Sequence, residues 1–273
     1  MRLILGFLAC FTVSAFSQDA REIVRRSVEL DQVNWLRMAD YTWVGRSRER
    51  HFDSHDQVTS DHREAWETIV LDGQPLRRML ERDGKPLSPA EQRKQQNKLD
   101  KDTAGLENQT PAEKQRRAAG YEKTRRRERA FLLEIPDAYD LKLEGSDRID
   151  GQDVWVVSGV PKPGYRAKSR DGAALLKVNG KMWIEKAGYQ WVRLEAQTTR
   201  TISFGLFLAR LNPGAKLVLE QTRVNDAVWL PKREYVKGSG RIALVKRVAE
   251  DQEITWNDYK KFQVDSKIVP REP

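Results

Sequence analysis

The sequence has little of the chemistry that metal centres and disulfide scaffolds need. It contains one cysteine and three histidines in 273 residues. The cysteine, Cys10, lies in the apolar N-terminal stretch, so a chain cleaved after Ser17 would have none. Such a chain cannot form disulfides, and its core has to be large enough to hold the domain without cross-links.

Catalytic motifs are also absent from the sequence. It has no G-x-S-x-G elbow, no G-x-x-x-x-G-K-[ST] phosphate loop, no H-E-x-x-H and no G-x-G-x-x-G after a strand. The sequence therefore predicts a protein that is not an enzyme and has no cofactor. A hydrolase with an unrecognised site is disfavoured only by this absence of motifs.

The three histidines are His51, His55 and His62, all in one acidic segment. If residues 50–56 were extended, His51, Asp53 and His55 would share a face, a ligand set that suits a divalent metal. The alternative is a polar hairpin tip between two strands. No helical H-x-x-x-H supplies further ligands, so we predict no metal site.

The sequence has one long apolar run, and it lies at the N-terminus. Arg2 supplies a positive charge, Leu3 to Phe16 form an apolar stretch, and Ala15 and Ser17 are small residues placed for cleavage. We expect residues 1–17 to be a secretory signal peptide, residues 18–273 to form a single domain, and the mature protein to be periplasmic. The alternative is a lipidated Cys10.

Charge is abundant and mixed. Lys and Arg number 49 against 40 Asp and Glu, which gives a net charge of +9, and mean hydropathy is −0.71. These values indicate a soluble protein with a weak preference for anionic surfaces. Because a secreted chain does not meet nucleic acid in the cell, we predict no nucleic-acid partner.

Hydrophobic periodicity predicts a mainly β protein with helices (α+β). Residues 19–38 have an apolar face on a 3.6-residue period, which favours an N-terminal helix packed on a sheet. About ten strands follow at the spacing of a sandwich or barrel. The clearest hairpin spans residues 216–236, where Asn225-Asp226 is turn chemistry and Pro231 belongs at an edge or bulge.

A charged helical insertion interrupts the strands at residues 88–130. Ser88-Pro89-Ala90-Glu91 and Thr110-Pro111-Ala112-Glu113 are capping boxes with proline at the first helical position, so two helices should begin near Pro89 and Pro111. Twelve basic and seven acidic residues give the segment a net charge of +5. It is either a solvated insertion or a basic flap for anionic lipid headgroups or an acidic partner. Its candidate contact residues are Arg125, Arg126, Arg127 and Arg129.

Aromatic and apolar side chains in adjacent predicted strands are the remaining candidates for a site. Buried aromatics usually belong to the core. The alternative is that they line the concave face of an incompletely closed barrel, which a helix or an apolar ligand must cover. The candidate lining residues are Trp183, Trp191, Phe204, Leu206, Leu208, Trp229 and Trp256.

Several short stretches are similar to a known group of envelope proteins. They are Tyr41-Thr42-Trp43, the Asp72-Gly73 turn, Lys181-Met182-Trp183-Ile184-Glu185, Val228-Trp229-Leu230-Pro231 and the closing residues 256–262. In this order the chain resembles the outer-membrane lipoprotein-sorting, LolA/LolB-like group of diderm bacteria. The resemblance implies an incomplete antiparallel β-barrel, or half-barrel, closed by helices around a hydrophobic cavity. The insertion at residues 88–130 is longer and more basic than a standard carrier of this group would have.

Two functions follow as expectations. The first is a non-catalytic periplasmic carrier that holds a lipid, an acyl chain or a lipoprotein on the concave face of an open barrel. The second is an envelope interaction or regulatory protein with a self-filled barrel, which binds an anionic membrane surface or a partner protein through its basic insertion.

Overall fold

The computed structural model describes residues 19–71, 73–204, 209–242 and 246–261 of the chain. In these residues five α-helices and thirteen strands form. The helices are α1 (Ala20–Arg37), α2 (Pro89–Glu107), α3 (Pro111–Arg129), α4 (Ile135–Ala138) and α5 (Arg170–Leu175), with 3-10 turns at Met38–Asp40 and Ala130–Glu134. The strands are β1 (Tyr41–Phe52), β2 (Val58–Leu71), β3 (Gln74–Arg82), β4 (Lys85–Pro86), β5 (Tyr139–Ile149), β6 (Gln152–Pro161), β7 (Val178–Glu185), β8 (Trp191–Thr198), β9 (Ile202–Phe204), β10 (Ala209–Leu211), β11 (Lys216–Val224), β12 (Val228–Ile242) and β13 (Lys246–Lys261).

One antiparallel sheet contains all of these strands. Its order is β4-β3-β2-β1-β13-β12-β11-β8-β7-β6-β5, while β10 pairs with β9 and β12. Strands β4 and β5 are the two ends of this order, so the sheet is open. The predicted fold class, an open antiparallel sheet with helices, is confirmed. Three strands are only two or three residues long, which accounts for the difference from the predicted number of about ten.

Helix α1 covers one face of the sheet. Its N-cap is Asp19, whose carboxylate accepts a hydrogen bond from the Arg21 backbone N–H at 2.9 Å. The side chains of Ile23, Val24 and Val28 are at most 1% exposed. They join the core cluster that includes Trp155, Val157, Met182, Ile184 and Trp191 of the sheet. The predicted N-terminal helix is therefore present, and its apolar face contributes four of the twelve buried residues of the main core cluster.

The charged insertion contains the two predicted helices. Ser88 and Thr110 each accept a hydrogen bond from the backbone of the glutamate three residues on, and that glutamate accepts one from the cap residue's backbone. Helix α2 packs through Leu99 and Leu106 against Ile69 of β2. Val70, the next residue of β2, packs instead in the cluster of Met38 and Tyr41. Ile69 and Val70 therefore point to opposite faces of the sheet. None of the described helices is long and apolar enough to cross a membrane.

The central hairpin has the predicted form. Asn225 and Asp226 have φ of 50° and 52° in the turn between β11 and β12. The register shifts where Gln221 faces Pro231, so the proline occupies a bulge and breaks no regular ladder bond. After the short helix that ends at Leu175, residues 178–185 form one continuous strand with Gly180 inside it.

Charged side chains cross the face of the sheet that points away from α1. Arg193 lies 2.9 Å from Glu220, and Arg48 lies 2.7 Å from Asp61. These pairs join residues of adjacent strands with alternating sign, as in the cross-strand pairs that stabilise sheets by a few tenths of a kcal/mol to about 1 kcal/mol. Much of the mixed charge therefore belongs to a solvated sheet surface.

Candidate functional site

An apolar cavity of about 400 Å³ lies between the helical cover and five strands of the sheet. The cover is made by α1, α4 and residues 128–132, and the wall by β5, β6, β7, β8 and β11. The lining residues are Val28, Trp35, Glu128, Arg129, Phe131, Leu132, Ile135, Tyr139, Leu141, Val157, Gly159, Leu175, Val178, Gly180, Met182, Trp191, Leu194, Ala196, Leu217 and Leu219. Glu128 and Arg129 are the two charged residues among them, so nearly the whole surface is apolar.

A row of small residues lies in the sheet wall of this cavity. Gly159 of β6 pairs in register with Gly180 of β7, and Gly180 pairs with Ala196 of β8. Residues paired across a ladder point to the same face. A Cβ at Gly180 would meet only the Glu195 carbonyl oxygen, at 3.6 Å, so this part of the wall is open. Beside Gly159 the space is already filled, because a Cβ there would be 2.9 Å from the Leu141 side chain.

A buried carboxylate fixes one side of the helical cover. Glu134, 6% exposed, accepts hydrogen bonds from the Lys168 backbone N–H at 2.9 Å and the Ser169 hydroxyl at 3.0 Å. These donors belong to the segment before α5, whose Leu175 lines the cavity. Because a buried charge held by several donors is expensive to release, Glu134 attaches the two parts of the cavity wall to one another.

Asp31 of α1 is the centre of a second buried polar cluster. It is 1% exposed. Its carboxylate accepts hydrogen bonds from Arg129 Nη1 at 2.8 Å, from Trp191 Nε1 at 2.9 Å and from Gln221 Nε2 at 3.2 Å. These donors come from α3, β8 and β11, so one carboxylate joins the first helix, the insertion and the sheet at one end of the cavity.

Amide side chains extend this cluster. Gln190 Nε2 donates to Gln221 Oε1 at 2.7 Å, and Asn34 Nδ2 donates to Gln190 Oε1 at 2.5 Å. All three amides are buried. Buried polar networks are stable only when each member has a partner, and this chain of donors and acceptors runs without a break from Asn34 to Asp31.

Trp35 lies between the insertion and the cavity. The guanidinium carbons of Arg129 and Arg125 are 4.1 Å and 4.8 Å from its ring centroid, within the range of cation–π attraction. Burial lowers the pKa of Arg125, which is only 7% exposed. The two arginines therefore serve to hold α3 against α1.

Glu234 is a half-buried carboxyl beside the cavity. It pairs in register with Leu219, which lines the cavity, and it makes no hydrogen bond or salt bridge with the residues that the structure describes. Burial raises the pKa of Glu234 above its ordinary value of 4.5, and the nearby charge of Arg129 opposes that rise. The ionised form of Glu234 is therefore less favourable in the folded protein than in water.

Replacing Glu234 with glutamine is expected to stabilise the protein at pH 8. A carboxyl whose pKa is raised in the folded state makes its full contribution to the stability of the fold at low pH. That contribution is lost as the pH rises through the raised pKa. Glutamine removes the loss, so we expect the Tm to rise by about 2 °C at pH 8 and to change little at pH 4. Thermal melts of both proteins at the two pH values test this. An equal shift at both would contradict it.

The seven predicted lining residues are placed in different parts of the molecule. Trp191 lines the cavity. Trp183 and Trp229 belong to a cluster with Val154 and Val192, on the other side of the sheet from Met182. Trp256 packs in a third cluster with Met38, Tyr41 and Trp43. Of Phe204 the structure describes the backbone in β9, and Leu206 and Leu208 lie outside the described residues.

The four arginines predicted as a contact patch do not form one surface. Arg126 and Arg127 are exposed, and Arg126 pairs with Glu122 on its own helix. Arg125 is buried against Trp35, and Arg129 is paired with Asp31. The sequence interpretation counted charges along the chain, whereas successive residues of a helix point in different directions.

The histidines also take separate roles. Asp53 accepts hydrogen bonds from the backbone N–H groups of His55 and Gln57, at 2.8 Å and 3.0 Å, and so closes the β1–β2 turn. This agrees with the polar hairpin tip. His51 Nε2 lies 2.9 Å from Glu49, and its Nδ1 lies 3.7 Å from Glu250. The two ring nitrogens therefore face different carboxylates, on β1 and β13.

Comparisons with known proteins find similar structures. No protein-family model matches the chain, and no curated protein matches it. A DUF1329 family protein from Desulfovibrio piger has 12% identity and a TM-score of 0.33, and the match covers 91% of this chain and 95% of that one. A domain named for outer membrane lipoprotein sorting, from Vibrio parahaemolyticus, has 11% identity and a TM-score of 0.36, with coverage of 90% and 95%. A LolA superfamily protein from Nitrosomonas europaea has 11% identity and a TM-score of 0.29, with coverage of 92% and 97%.

What this chain binds has to be inferred from its own cavity.

Sequence reasoning missed most of the lining residues. It selected large aromatics, whereas the lining consists mainly of aliphatic side chains, with small residues such as Gly180 and Ala196 between them. Strand alternation does assign these residues to the inward face, because the residues two positions before and after each of them point the same way. Finding the row still required the register of three strands, which residue patterns alone do not give.

Proposed function

We propose that this protein is a non-catalytic carrier that binds one apolar chain, such as the acyl chain of a lipid or lipoprotein, in the cavity beneath α1. The observation that carries the proposal is the apolar cavity of about 400 Å³ between the helical cover and the sheet, with Gly180 and Ala196 in its wall. This volume lies within the range of about 300–1,000 Å³ that is usual for ligand sites. Apolar cavities stay dry and take apolar ligands.

The same open volume supports a carrier over the alternative of a self-filled barrel. The alternative also needed a basic contact surface, and two of its four arginines, Arg125 and Arg129, are engaged with α1. We further propose that the protein works in the periplasm, after removal of residues 1–17, and exchanges its ligand with lipid or lipoprotein of the envelope.

The first experiment is mass spectrometry of the protein purified from an envelope fraction, under native and then denaturing conditions. We expect a lipid or acyl species bound at one molecule per protein and released on denaturation. A protein that is empty and also fails to bind added Nile red, an uncharged apolar dye, would contradict the proposal.

Replacing Ala196 with phenylalanine is expected to abolish binding without harming the fold. The new ring would enter the cavity and take up volume that a ligand would use. Overpacking a full core costs about 1–3 kcal/mol, whereas filling an empty apolar cavity adds contacts. We therefore expect Nile red affinity to fall at least about ten-fold, which corresponds to 1.4 kcal/mol, with Tm unchanged or higher.

The matched control is Ala118→Phe, at an exposed position of α3. It adds the same ring outside the cavity and should leave the affinity as it is. If Ala196→Phe melts at a lower temperature, the position is already filled. If it binds Nile red like the control, the dye occupies another site. Either result would count against a ligand cavity at the row of small residues.

A further inference from the structure

Among the described residues that line the cavity, the one positively charged side chain is already engaged. Arg129 donates to both oxygens of Asp31 through Nη1, at 2.8 Å, and its guanidinium lies over the ring of Trp35. Its side chain is 19% exposed and that of Asp31 is 1% exposed. Moving Arg129 to meet a ligand would leave the buried Asp31 carboxylate without its counter-ion, which is strongly unfavourable.

Negative charge predominates around this end of the cavity. Glu128 is a lining residue exposed to solvent, Glu234 is a half-buried residue that pairs in register with the lining residue Leu219, and Asp31 is buried behind Arg129. Two cations, Arg125 and Arg129, lie near these three carboxylates, so the net charge of the five groups is −1 when all are ionised. The C-terminal end of α3 is also here, and a helix C-terminus carries a partial negative charge.

From this arrangement we infer that the cavity selects apolar chains whose end group is uncharged or cationic, and that it rejects free carboxylates and phosphates. The inference rests on the proposed function and adds the chemical class of the ligand. A carboxylate or phosphate entering here would lose its hydration, find no uncommitted cation among the described lining residues, and face two carboxylates. A hydroxyl or ammonium group could instead donate to Glu128 or Glu234.

Trp35 provides the complementary contact. Its Nε1 is buried and has no hydrogen-bond partner among the described residues. Buried donors usually have a partner, and one without calls for an explanation. The oxygen of an alcohol, ester or amide could accept from it. One neutral N–H does not offset the repulsion of the carboxylates, so it favours an uncharged end group and not an anion.

Four ligands that share one chain length and differ in their end groups test this selection. Decanol, decylamine, decanoate and decyl phosphate would each be titrated calorimetrically into delipidated protein at pH 7.5, where the decanoate carboxyl is ionised. Two charges about 7 Å apart at an effective dielectric constant of about 20 repel by more than the 1.4 kcal/mol of a ten-fold change. We expect decanoate and decyl phosphate to bind at least about ten-fold more weakly than decanol, and decylamine to bind at least as tightly as decanol.

The variant Glu234→Gln removes one of the repelling charges and keeps the shape of the side chain. We expect decanoate affinity to rise about three-fold or more, while decanol affinity stays the same. The control Glu107→Gln, at an exposed position of α2 away from the cavity lining, changes the net charge equally and should not affect either ligand.

The outcomes separate this inference from the proposed function. If decanol and decanoate bind equally well, or if the two anions bind more tightly, the selection of end groups is wrong and the carrier function stands. If decylamine binds as weakly as decanoate, the selection is wrong as well. If none of the four ligands binds, the carrier function fails and the inference fails with it.

Discussion

Replacing Asp31 with alanine is expected to lower the free energy of unfolding by about 3–5 kcal/mol, the range measured when one partner of a buried ion pair is removed. The carboxylate is 1% exposed and has three donor partners. Without it, the Arg129 charge stays buried beside Trp35, and the N–H groups of Trp191 and Gln221 lose their acceptor. The loss therefore combines an uncompensated charge with unsatisfied donors.

Urea denaturation of the wild type and four variants tests this prediction. Asp31→Asn keeps an acceptor oxygen but loses the charge, so it should cost less than Asp31→Ala. Asp31→Ala combined with Arg129→Met should recover part of the loss, because an apolar chain replaces the stranded charge. Asp137→Ala, which breaks an exposed ion pair with Arg21, should cost no more than about 1 kcal/mol. The prediction is wrong if Asp31→Ala costs as little as Asp137→Ala.

The local elements of this protein could be predicted from its sequence. Ser88 and Thr110 begin helices because each is followed three residues later by a glutamate and directly by a proline. Asn225 and Asp226 form a turn because these residues tolerate positive φ. Each of these signals lies within about four residues, so no knowledge of the rest of the fold is needed.

The cavity could not be predicted in the same way, because its parts are far apart in the chain. Asp31 meets Trp191 across 160 residues and Gln221 across 190. A lone acidic residue on the predicted apolar face of α1 gave no sign of these partners. The basic stretch at the end of α3 was likewise interpreted as surface, although Arg125 and Arg129 point towards Trp35.

Helix α1 is held to the sheet in two ways. Its buried apolar face packs in the main core, and Asp31 and Asn34 add directional hydrogen bonds to Trp191 and Gln190. A cover attached in both ways can stay in place while the apolar space beside it is empty or filled, as the proposed carrier function requires.

Replacing Gly45 with alanine is expected to lower the free energy of unfolding by about 3 kcal/mol, the upper end of the range for overpacking. Gly45 pairs in register with Trp66, and the Trp66 ring lies against its backbone. A Cβ at position 45 would be 2.5 Å from Trp66 Cζ2 and closer still to Cε2. Trp66 is 5% exposed and has Arg77 stacked at 4.1 Å from its ring centroid, so the ring has little freedom to move away.

A double-mutant cycle with Trp66→Leu distinguishes this clash from a general preference for glycine. If the ring is the obstacle, Gly45→Ala should cost at least about 1 kcal/mol less in the Trp66→Leu background. Gly120→Ala is expected to have the opposite effect. Its Cβ would meet nothing within 4 Å in the middle of α3, so the higher helix propensity of alanine should stabilise the protein by about 0.5–1 kcal/mol. Replacing glycine with alanine is then expected to destabilise the protein where a tryptophan ring covers the glycine and to stabilise it where the glycine is exposed to solvent. Equal costs at position 45 in both backgrounds would mean that the strand, and not the ring, requires glycine.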